Sequence, residues 1–325
     1  MTDTIRWGVL GAGRIATTFC DDLALLDDHA VVAAGSRREG GADDFAARYD
    51  ARAHGSWEAL VADPDVDVVY VATPHPAHHA ATLLALQAGK NVLCEKPFTM
   101  DAAQARELIA AAQASGAFLM EAMWTRFLPA IVALREIVAE GRLGELVAVH
   151  ADFGVGFAED PESRWFAPEL GGGALLDLGV YPVSFASMLL GTPTRVTAVS
   201  DPASTGVDGH TSAILQHGGG RQALVSTTMF ANTETRAVVV GRDARVEVDS
   251  PFFRTHGFTL VYSDDTPERV ERPYDGNGMR FEAIEVARCL REGRTESPVM
   301  PLAETVTVLE TMDEIRRQIG LVYPD

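Results

Sequence analysis

Residues 5–16 read Ile5-Arg6-Trp7-Gly8-Val9-Leu10-Gly11-Ala12-Gly13-Arg14-Ile15-Ala16, a short apolar run followed by a Gly-x-Gly-x-x-Ala turn. Gly11 permits a tight turn, Gly13 lets the backbone approach a pyrophosphate, and a small Ala16 lets a helix pack closely on a strand. The phosphates of such a ligand rest on the helix N-terminus, where N–H groups are exposed and the helix dipole is positive. The stretch predicts the first strand, turn and helix of a dinucleotide-binding domain, with Gly11, Gly13, Arg14 and Ile15 at the cofactor.

The next hundred residues alternate between short apolar runs and helical patterns, separated by Gly, Pro or polar turns. This spacing predicts βαβ units and a parallel sheet covered on both faces. Asp101 stands where a helix N-cap is expected, and Gly89 and Gly116 stand where helices end. We therefore predict an α/β fold that begins with a Rossmann domain, a doubly wound parallel sheet, over residues 1–121. The predicted strands are Ile5–Leu10, Val31–Gly35, Val66–Ala72, Asn91–Cys94 and Phe118–Met120, and the predicted helices are Ile15–Leu26, Ala42–Tyr49, Ala77–Ala88 and Ala102–Ala114.

After residue 121 strand signals come to dominate, with a hairpin turn at Gly218-Gly219-Gly220. We expect a second, α+β domain over residues 122–325 with an open, mostly antiparallel sheet, and the C-terminal helix could pack back on the first domain. The predicted strands are Leu146–Phe153, Val196–Ser200, Ala213–His217, Ala223–Met229, Arg236–Val240, Arg245–Val248 and Thr259–Tyr262, and the predicted helices are Ala130–Glu140, Ala174–Leu190, Arg280–Glu292 and Leu302–Ile319.

Composition excludes several classes of protein. The chain of 325 residues has 27 Lys plus Arg against 46 Asp plus Glu, a formal net charge of −19, which argues against nucleic acid and anionic membranes as partners. Three scattered cysteines suit reduced thiols, and we see neither a signal peptide nor an apolar run of the length that a membrane span needs. A cytoplasmic location is expected.

The end of the second predicted strand indicates which dinucleotide is bound. A site for NAD places Asp or Glu there for the ribose 2′-hydroxyl, whereas this sequence has Ser36-Arg37-Arg38 after Gly35. A guanidinium fork suits a phosphate monoester. We predict NADP rather than NAD, with Ser36, Arg37 and Arg38 at the 2′-phosphate; the alternative is a solvated charged turn.

Lys90 and Lys96 are the only lysines in the chain. Lysine, unlike arginine, can change its protonation state when it is desolvated. Lys90 follows Gly89 at a helix end, where a cation has a structural role. Lys96, in Cys94-Glu95-Lys96-Pro97, follows a parallel strand at the sheet edge where open α/β folds bind ligands. It is the candidate for chemistry, against a surface ion pair with Glu95.

Three motifs together carry a resemblance: residues 8–16, Cys94-Glu95-Lys96-Pro97, and residues 171–181, Gly-Gly-Gly-Ala-Leu-Leu-Asp-Leu-Gly-Val-Tyr. In that order the chain resembles the glucose–fructose oxidoreductase, inositol dehydrogenase and MocA family over its whole length. Glu121-Ala122-Met123-Trp124-Thr125-Arg126-Phe127 and Tyr181 resemble most the branch of dimeric dihydrodiol dehydrogenase and NADP-dependent D-xylose dehydrogenase. The resemblance implies a Rossmann domain, an α/β second domain, dimerisation through its open sheet, and in many members a cis Lys-Pro peptide.

The resemblance also implies catalytic residues. Lys96 matches the family's active-site lysine, Tyr181 the tyrosine that this branch uses to exchange a proton, and Asp177 the aspartate one helical turn earlier. Many family members have His at the position of Tyr181 and Asp at that of Ser184, which puts a His/Asp relay in doubt here. A lysine cation within about 4–6 Å of a phenol lowers its pKa from near 10, so the pair can serve as acid and base.

Further positions follow from the same resemblance. Thr73, His75 and Glu95 are expected at the cofactor, and Trp124, Arg126 and Arg164 at the substrate. The alternative for Trp124 and Arg126 is packing between domains. His75, His78 and His79 lack a surrounding ligand set, so no metal is expected.

The expected activity is hydride transfer between NADP and a sugar, such as an aldose, or a cyclic trans-dihydrodiol. Two rivals remain open: a glycosidase that uses bound NAD(H) transiently, and a nucleotide-sensing regulatory protein. Lys96 and Tyr181 argue against the sensor, because sensing needs neither.

Overall fold

A computed structural model describes residues 4–38 and 40–324. Contacts divide these residues into two compact units. The first unit comprises the chain up to Trp124 together with Asp275–Thr305, and the second comprises Thr125–Tyr274 together with the chain from Val306 onward.

The first unit is built on a parallel sheet of six strands in the order β3-β2-β1-β4-β5-β6. The strand order reverses at β1, as in a doubly wound fold, so the predicted Rossmann domain is confirmed. Its strands are β1 (Ile5–Leu10), β2 (His29–Gly35), β3 (Arg52–His54), β4 (Val68–Val71), β5 (Asn91–Glu95) and β6 (Leu119–Ala122). β1 and β4 are buried along almost their whole length because helices cover both faces of the sheet.

The helices of this unit begin and end largely where local signals predicted. They are α1 (Arg14–Leu23), α2 (Asp43–Arg48), α3 (Trp57–Val61), α4 (His78–Gln87) and α5 (Ala102–Ser115). The Asp101 side chain accepts a hydrogen bond from Gln104 N at 2.9 Å and caps α5, and Gly116 ends that helix with φ +71°. β3 and α3 had not been predicted.

One segment of the first unit comes from far along the chain. Asp22, buried in α1, accepts hydrogen bonds from Asn277 N and Met279 N, both at 2.7 Å, where α8 (Arg280–Arg291) begins. Leu119 N donates to Thr295 O. These bonds hold Asp275–Thr305 within the first unit.

The second unit is built on an eight-stranded sheet in the order β14-β13-β12-β11-β7-β10-β9-β8. Among the described strands, neighbours pair antiparallel except β7 with β10, so the predicted open, mostly antiparallel sheet is confirmed. The strands are β7 (Leu146–Gly154), β8 (Arg195–Pro202), β9 (Asp208–Gln216), β10 (Gln222–Thr228), β11 (Ala237–Gly241), β12 (Ala244–Val248), β13 (Gly257–Tyr262) and β14 (Pro267–Glu271).

The helices α6 (Pro129–Ala139), α7 (Val180–Leu190) and most of α9 (Leu302–Ile319) belong to this unit. The predicted helix over 174–190 is α7 preceded by a π-helical turn, Leu175–Gly179. The helical stretch Pro168–Leu190 is long and apolar enough to cross a membrane by length and composition, contrary to the expectation that no apolar run has this length. Since 89% of its most apolar window is buried inside the protein, its apolar character is that of a core helix.

Candidate active site

The carboxyl ends of four adjacent strands, β2, β1, β4 and β5, bring the predicted cofactor residues to one edge of the first unit's sheet. Three strand spacings separate the outer two, so the row spans ~14 Å. It runs from Ser36-Arg37-Arg38 after β2, through the glycine turn after β1 and Thr73 after β4, to Glu95 and Lys96 at the end of β5. Ligands of open α/β sheets bind along this kind of edge.

The glycine turn has the shape that a pyrophosphate needs. Gly11 has φ +99°, and a Cβ there would lie 2.5 Å from Ala72 O, so only glycine fits. A Cβ on Gly13 would meet no described atom within 4 Å, which leaves open space in front of α1. The first turn of α1 contains no acidic residue and no side chain caps it, while Arg14 and Ile15 are exposed. This cradle fits the phosphates of a dinucleotide.

The turn after β2 presents two exposed cations. Arg37 and Arg38 are exposed, and the Arg37 guanidinium lies over the ring of Trp57 at 4.5 Å from its centroid. The Ser36 hydroxyl accepts a hydrogen bond from Arg38 N at 3.2 Å. Among the residues that the structure describes, no carboxylate pairs with the stacked Arg37, so its donors suit a phosphate.

A buried histidine links the ends of β4 and β5. His78 Nδ1 lies 2.8 Å from Pro97 O, and Nε2 lies 2.8 Å from Thr73 O. Burial lowers the pKa of His78 to about 4, with His75 and Lys96 acting in the same direction, so the ring is neutral near pH 7 and donates to one of the two carbonyls. This link joins the loops that carry Thr73 and Lys96.

Glu95 holds the backbone of Lys96. Its Oε2 accepts from Lys96 N at 3.1 Å, and its Oε1 accepts from the Tyr70 hydroxyl at 2.5 Å. Burial, together with the charge of Glu95, raises the pKa of Tyr70 well above its usual value, so Tyr70 acts as a donor. The Lys96-Pro97 peptide is cis, as the resemblance implied. The Glu95 carboxylate therefore points into the unit, toward Tyr70 and the Lys96 backbone.

A second buried carboxyl lies behind Glu95. Glu282 of α8 is fully buried, and neither of its oxygens has a hydrogen-bond partner among the described residues. Burial first, and then Glu95, Asp22 and Glu121, raise the pKa of Glu282 well above its usual value. An additional charge among these carboxylates is unfavourable, so their proximity and the burial favour the neutral form of Glu282.

In the second unit, Asp177 lies in the π-helical turn and is 6% exposed. Nη2 of Arg164 is 3.5 Å from each of its carboxylate oxygens, and the Arg164 guanidinium stacks 3.8 Å over the Trp165 ring. Trp165 in turn stacks on Phe157, with ring centroids 4.2 Å apart. The structure thus brings together two predicted residues, Arg164 and Asp177, and adds an aromatic pair that the motifs did not single out.

Tyr181 lies one turn after Asp177, at the start of α7, and is 7% exposed. Its ring centroid is 5.4 Å from those of Phe153 and Phe253, which stack on each other at 4.5 Å. These contacts fix the orientation of the phenol ring. An acid beside Arg164 and a phenol among aromatic rings, one helical turn apart, form an arrangement suited to proton exchange.

Arg126, predicted at the substrate, is buried against α7. Its Nε donates to Ser184 Oγ at 3.0 Å and its Nη2 to Ser184 O at 2.8 Å. Many family members have Asp at the position of Ser184. In this protein the Ser184 hydroxyl and carbonyl oxygens accept hydrogen bonds from Arg126. Trp124 is buried in the first unit, at the start of a short 3₁₀ turn, Trp124–Phe127. Neither position tests the substrate role predicted for these two residues.

Among the described residues, no group of three or more His, Cys, Asp or Glu side chains is arranged to hold a metal ion. The three cysteines are buried as free thiols. Burial raises the pKa of Cys289 to about 12 and those of Cys20 and Cys94 further, so none is a nucleophile.

A Rossmann domain with an open glycine cradle, joined to an open-sheet domain that carries a buried Asp and Tyr, defines the class of nicotinamide-dependent oxidoreductases. Comparisons identify the family. Residues 5–123 match the oxidoreductase family with an NAD-binding Rossmann fold, and residues 131–247 match the GFO/IDH/MocA C-terminal domain. The chain belongs to the GFO/IDH/MocA oxidoreductase family and is an NAD(P)-dependent dehydrogenase.

Two curated relatives illustrate the range of the family. Trans-1,2-dihydrobenzene-1,2-diol dehydrogenase of Mus musculus is 40% identical, covering 98% of each chain. D-xylose 1-dehydrogenase (NADP(+)) of Hypocrea jecorina is 39% identical, covering 99% of this chain and 94% of that protein.

Solved structures agree with this family assignment. The aldose-aldose oxidoreductase of Caulobacter crescentus, in complex with glycerol, has a TM-score of 0.89 at 25% identity, covering 99% and 100% of the two chains. A 3-ketoreductase of Actinomadura kijaniata, in complex with NADP and TDP-benzene, has a TM-score of 0.87 at 27% identity, covering 98% of each.

Proposed function

We propose that the protein transfers hydride between NADP and a sugar or a cyclic trans-dihydrodiol, with Tyr181 and Lys96 as the acid–base pair. The observation that carries this proposal is the helical turn that bears Asp177 and Tyr181: both side chains are buried, Arg164 contacts the acid, and two phenylalanines fix the phenol. Relatives acting on these two substrate classes, by their names, support the choice of substrate.

The residues of the first unit fit NADP. The N–H groups at the start of α1, behind Gly11 and Gly13, would hold the pyrophosphate, and Arg37 and Arg38 would hold the 2′-phosphate. Relatives named or solved with NADP support this choice over NAD. When bound, the nicotinamide supplies the hydride acceptor for oxidation and the hydride donor for reduction.

Each residue of the proposed pair has a distinct task. During oxidation Tyr181 takes the proton from the substrate hydroxyl as the carbon gives up hydride, and it returns the proton in reduction. Lys96 stabilises the phenolate by its charge, which brings the acid–base step into the neutral range. Asp177 accepts a hydrogen bond from the substrate, and Arg164 orients that carboxylate.

The test is a substrate panel. Purified protein is mixed with NADP⁺ and, separately, with aldoses, inositols and aromatic trans-dihydrodiols, while the nicotinamide absorbance at the reduced-cofactor band is followed. Turnover of an aldose or a dihydrodiol that is faster with NADP⁺ than with NAD⁺ is the expected result. Sugar cleavage without net absorbance change would instead indicate a glycosidase, and cofactor binding without any turnover would indicate a sensor.

We further propose that a second copy of the chain covers the outer face of the second unit's sheet. Helix α7 packs on the other face, against β7 and β10, whereas three apolar side chains on adjacent strands of the outer face are exposed: Val199 at 69%, Ile214 at 43% and Leu224 at 44%. Apolar surface of this kind marks an interface. Light scattering should give a dimer for the wild type and a monomer for Ile214→Asp; a monomeric wild type would contradict the proposal.

A further inference from the structure

Asp208 is a buried acid outside the proposed acid–base set. It begins β9, is 2% exposed, and lies on a different part of the chain from the helix that carries Asp177 and Tyr181. Its Oδ2 accepts hydrogen bonds from Leu175 N and from Thr211 Oγ1, both at 2.8 Å. Oδ1 has no hydrogen-bond partner among the described residues.

The bond to Leu175 falls at a functionally sensitive point. Leu175 is the first residue of the π-helical turn, two residues before Asp177, and the turn's own N-cap, Ala174, contributes no side-chain bond. The first N–H groups of a helix have no partner within the helix, and a carboxylate there also interacts favourably with the dipole. Asp208 therefore supplies from a distant strand the cap that the local sequence lacks.

The same carboxyl requires a glycine at position 173, just before the helix. Gly173 has φ +114°, and a Cβ there would lie 2.2 Å from Asp208 Oδ1. The Tyr323 hydroxyl donates to Gly172 O at 2.7 Å, and Gly173 N donates to Trp165 O at 2.9 Å. The Gly171-Gly172-Gly173 loop is thus held between Asp208, the end of the chain and the segment that bears Arg164.

Two other charged or titratable groups act on Asp208. Burial raises the pKa of Asp208 to about 7, while the bonds from Thr211 and Leu175 and the charge of Arg316 oppose the rise. Tyr323 lies close by, and burial, followed by the charge of Asp208, raises the pKa of that phenol. Arg316 forms an ion pair with Asp313. Asp208 is therefore the group of this cluster that changes charge near neutral pH.

We propose that Asp208 is a positioning residue, which anchors the start of the helix bearing Asp177 and Tyr181 and so sets how well these two groups act. This inference rests on the proposed function for its effect on turnover. As a carboxylate Asp208 accepts stronger hydrogen bonds from Leu175 N and Thr211 than it does when protonated. The anchor is tighter above pH 7 than below it.

The experiment compares Asp208→Ala and Asp208→Asn with Asp201→Asn, a matched change at an exposed acid on neighbouring β8. Amide hydrogen exchange across residues 174–181 measures how firmly the start of the helix is held, and it does not depend on turnover. Steady-state kinetics from pH 6 to pH 8.5 separate kcat from the KM for NADP⁺. Asparagine keeps the shape and an acceptor oxygen but carries no charge, so it serves if the alanine variant does not fold.

For Asp208→Ala we expect exchange over 174–181 to accelerate at least 10-fold, kcat to fall about 10-fold, and the KM for NADP⁺ to stay within twofold. The kcat of Asp208→Asn should match that of the wild type at pH 6 and be about fivefold lower than it at pH 8.5. Asp201→Asn should change neither the exchange over 174–181 nor the kinetic constants.

Unchanged exchange over 174–181 in both Asp208 variants would overturn the proposal. It would also be overturned if the ratio of the wild-type kcat to the Asp208→Asn kcat did not change with pH. If the Asp208 variants exchange faster but the wild type shows no turnover at all, the proposed function is overturned. The role of Asp208 in holding the start of the helix then still stands. The two failures are therefore distinguishable.

Discussion

The two units present their functional groups in opposite ways. In the first, the groups proposed to hold the cofactor stand on loops that follow β1 and β2, and Arg14, Arg37 and Arg38 are exposed. In the second, the groups proposed for chemistry, Asp177 and Tyr181, are buried on one helical stretch and are held by side chains from other segments, Arg164 and Phe253.

The difference follows from what each unit has to do. A dinucleotide brings its own charge and is held by backbone N–H groups and exposed cations, so a short local motif suffices. Proton exchange needs a side chain in one orientation and in a controlled environment, and these come only from tertiary packing. Substitutions in the first unit should therefore change cofactor binding, and those in the second should change turnover or the stability of its helix.

The largest effect is expected for Lys96→Met. Lys96 is an exception to the comparison, because it belongs to the first unit but is proposed to act in the acid–base step. Loss of the cation should lower kcat by ~10²–10⁴-fold, the usual contribution of general acid–base catalysis. Cofactor affinity, measured by NADPH fluorescence titration, should stay within a few-fold. Lys90→Met is the matched control, because Lys90 Nζ donates to Asp63 O and Val66 O, away from the site. Near-normal kcat in Lys96→Met would remove Lys96 from the mechanism.

The second prediction concerns the glycine loop that precedes the helix. Gly173→Ala should lower the free energy of unfolding by ~3 kcal/mol, because the new methyl group meets Asp208 at a positive φ. Gly141→Ala is the control: Gly141 has φ +75°, but its added methyl group meets no described atom within 4 Å, so ~1 kcal/mol is expected. Urea unfolding measures both. Equal losses of unfolding free energy in the two variants would show that Asp208 moves away from the added methyl group at little energetic cost.

A smaller effect is expected for Arg37→Ala, which tests the exposed cofactor side of the comparison. Removing one charge-assisted phosphate contact should weaken NADP binding by ~10–30-fold, equivalent to ~1.5–2 kcal/mol, and leave NAD binding within threefold. Arg48→Ala is the control, since Arg48 pairs with Asp21 on the surface. If the affinities for NADP and NAD fell equally, Arg37 would not read the 2′-phosphate.

The smallest effect at pH 5 is expected for Glu282→Gln. The folded-state pKa of Glu282 is raised, so the stability that it contributes is fully present below its unfolded pKa and is lost as pH rises through the folded value. The wild type should therefore lose up to ~1.4 kcal/mol per pH unit relative to the variant, from about pH 5 upward. Thermal unfolding between pH 5 and pH 9 measures the difference, with exposed Glu136→Gln as control. A pH-independent difference would mean that Glu282 is already ionised.

The sequence predicts the first unit's cofactor loops because their cause is local. A glycine turn between strand and helix requires specific residues at fixed spacing, and the geometry at Gly11 and Gly13 agrees with that reading. The cap at Asp101 and the stop at Gly116 are local in the same way. β3 and α3 escaped prediction because they are three and five residues long, too short to show a period.

The surroundings of the second unit's candidate residues could not be predicted, because their partners are distant. Asp208 lies 33 residues from Leu175, and Ser184 lies 58 residues from Arg126, with no local signal at either end. The same reason explains why no local signal places Asp275–Thr305 with the first unit: bonds to Asp22, more than 250 residues away, hold this segment there. Only the resemblance pointed to Asp177 and Tyr181.

The division of labour between the units is tested most directly by Tyr181→Phe, with NADPH dissociation constant and kcat measured on the same preparation and Tyr262→Phe as control. We predict an unchanged dissociation constant and a kcat reduced by ~10²–10⁴-fold, because the phenol exchanges the proton and does not hold the cofactor. A variant that keeps its turnover, or one that loses cofactor affinity along with it, would contradict the account.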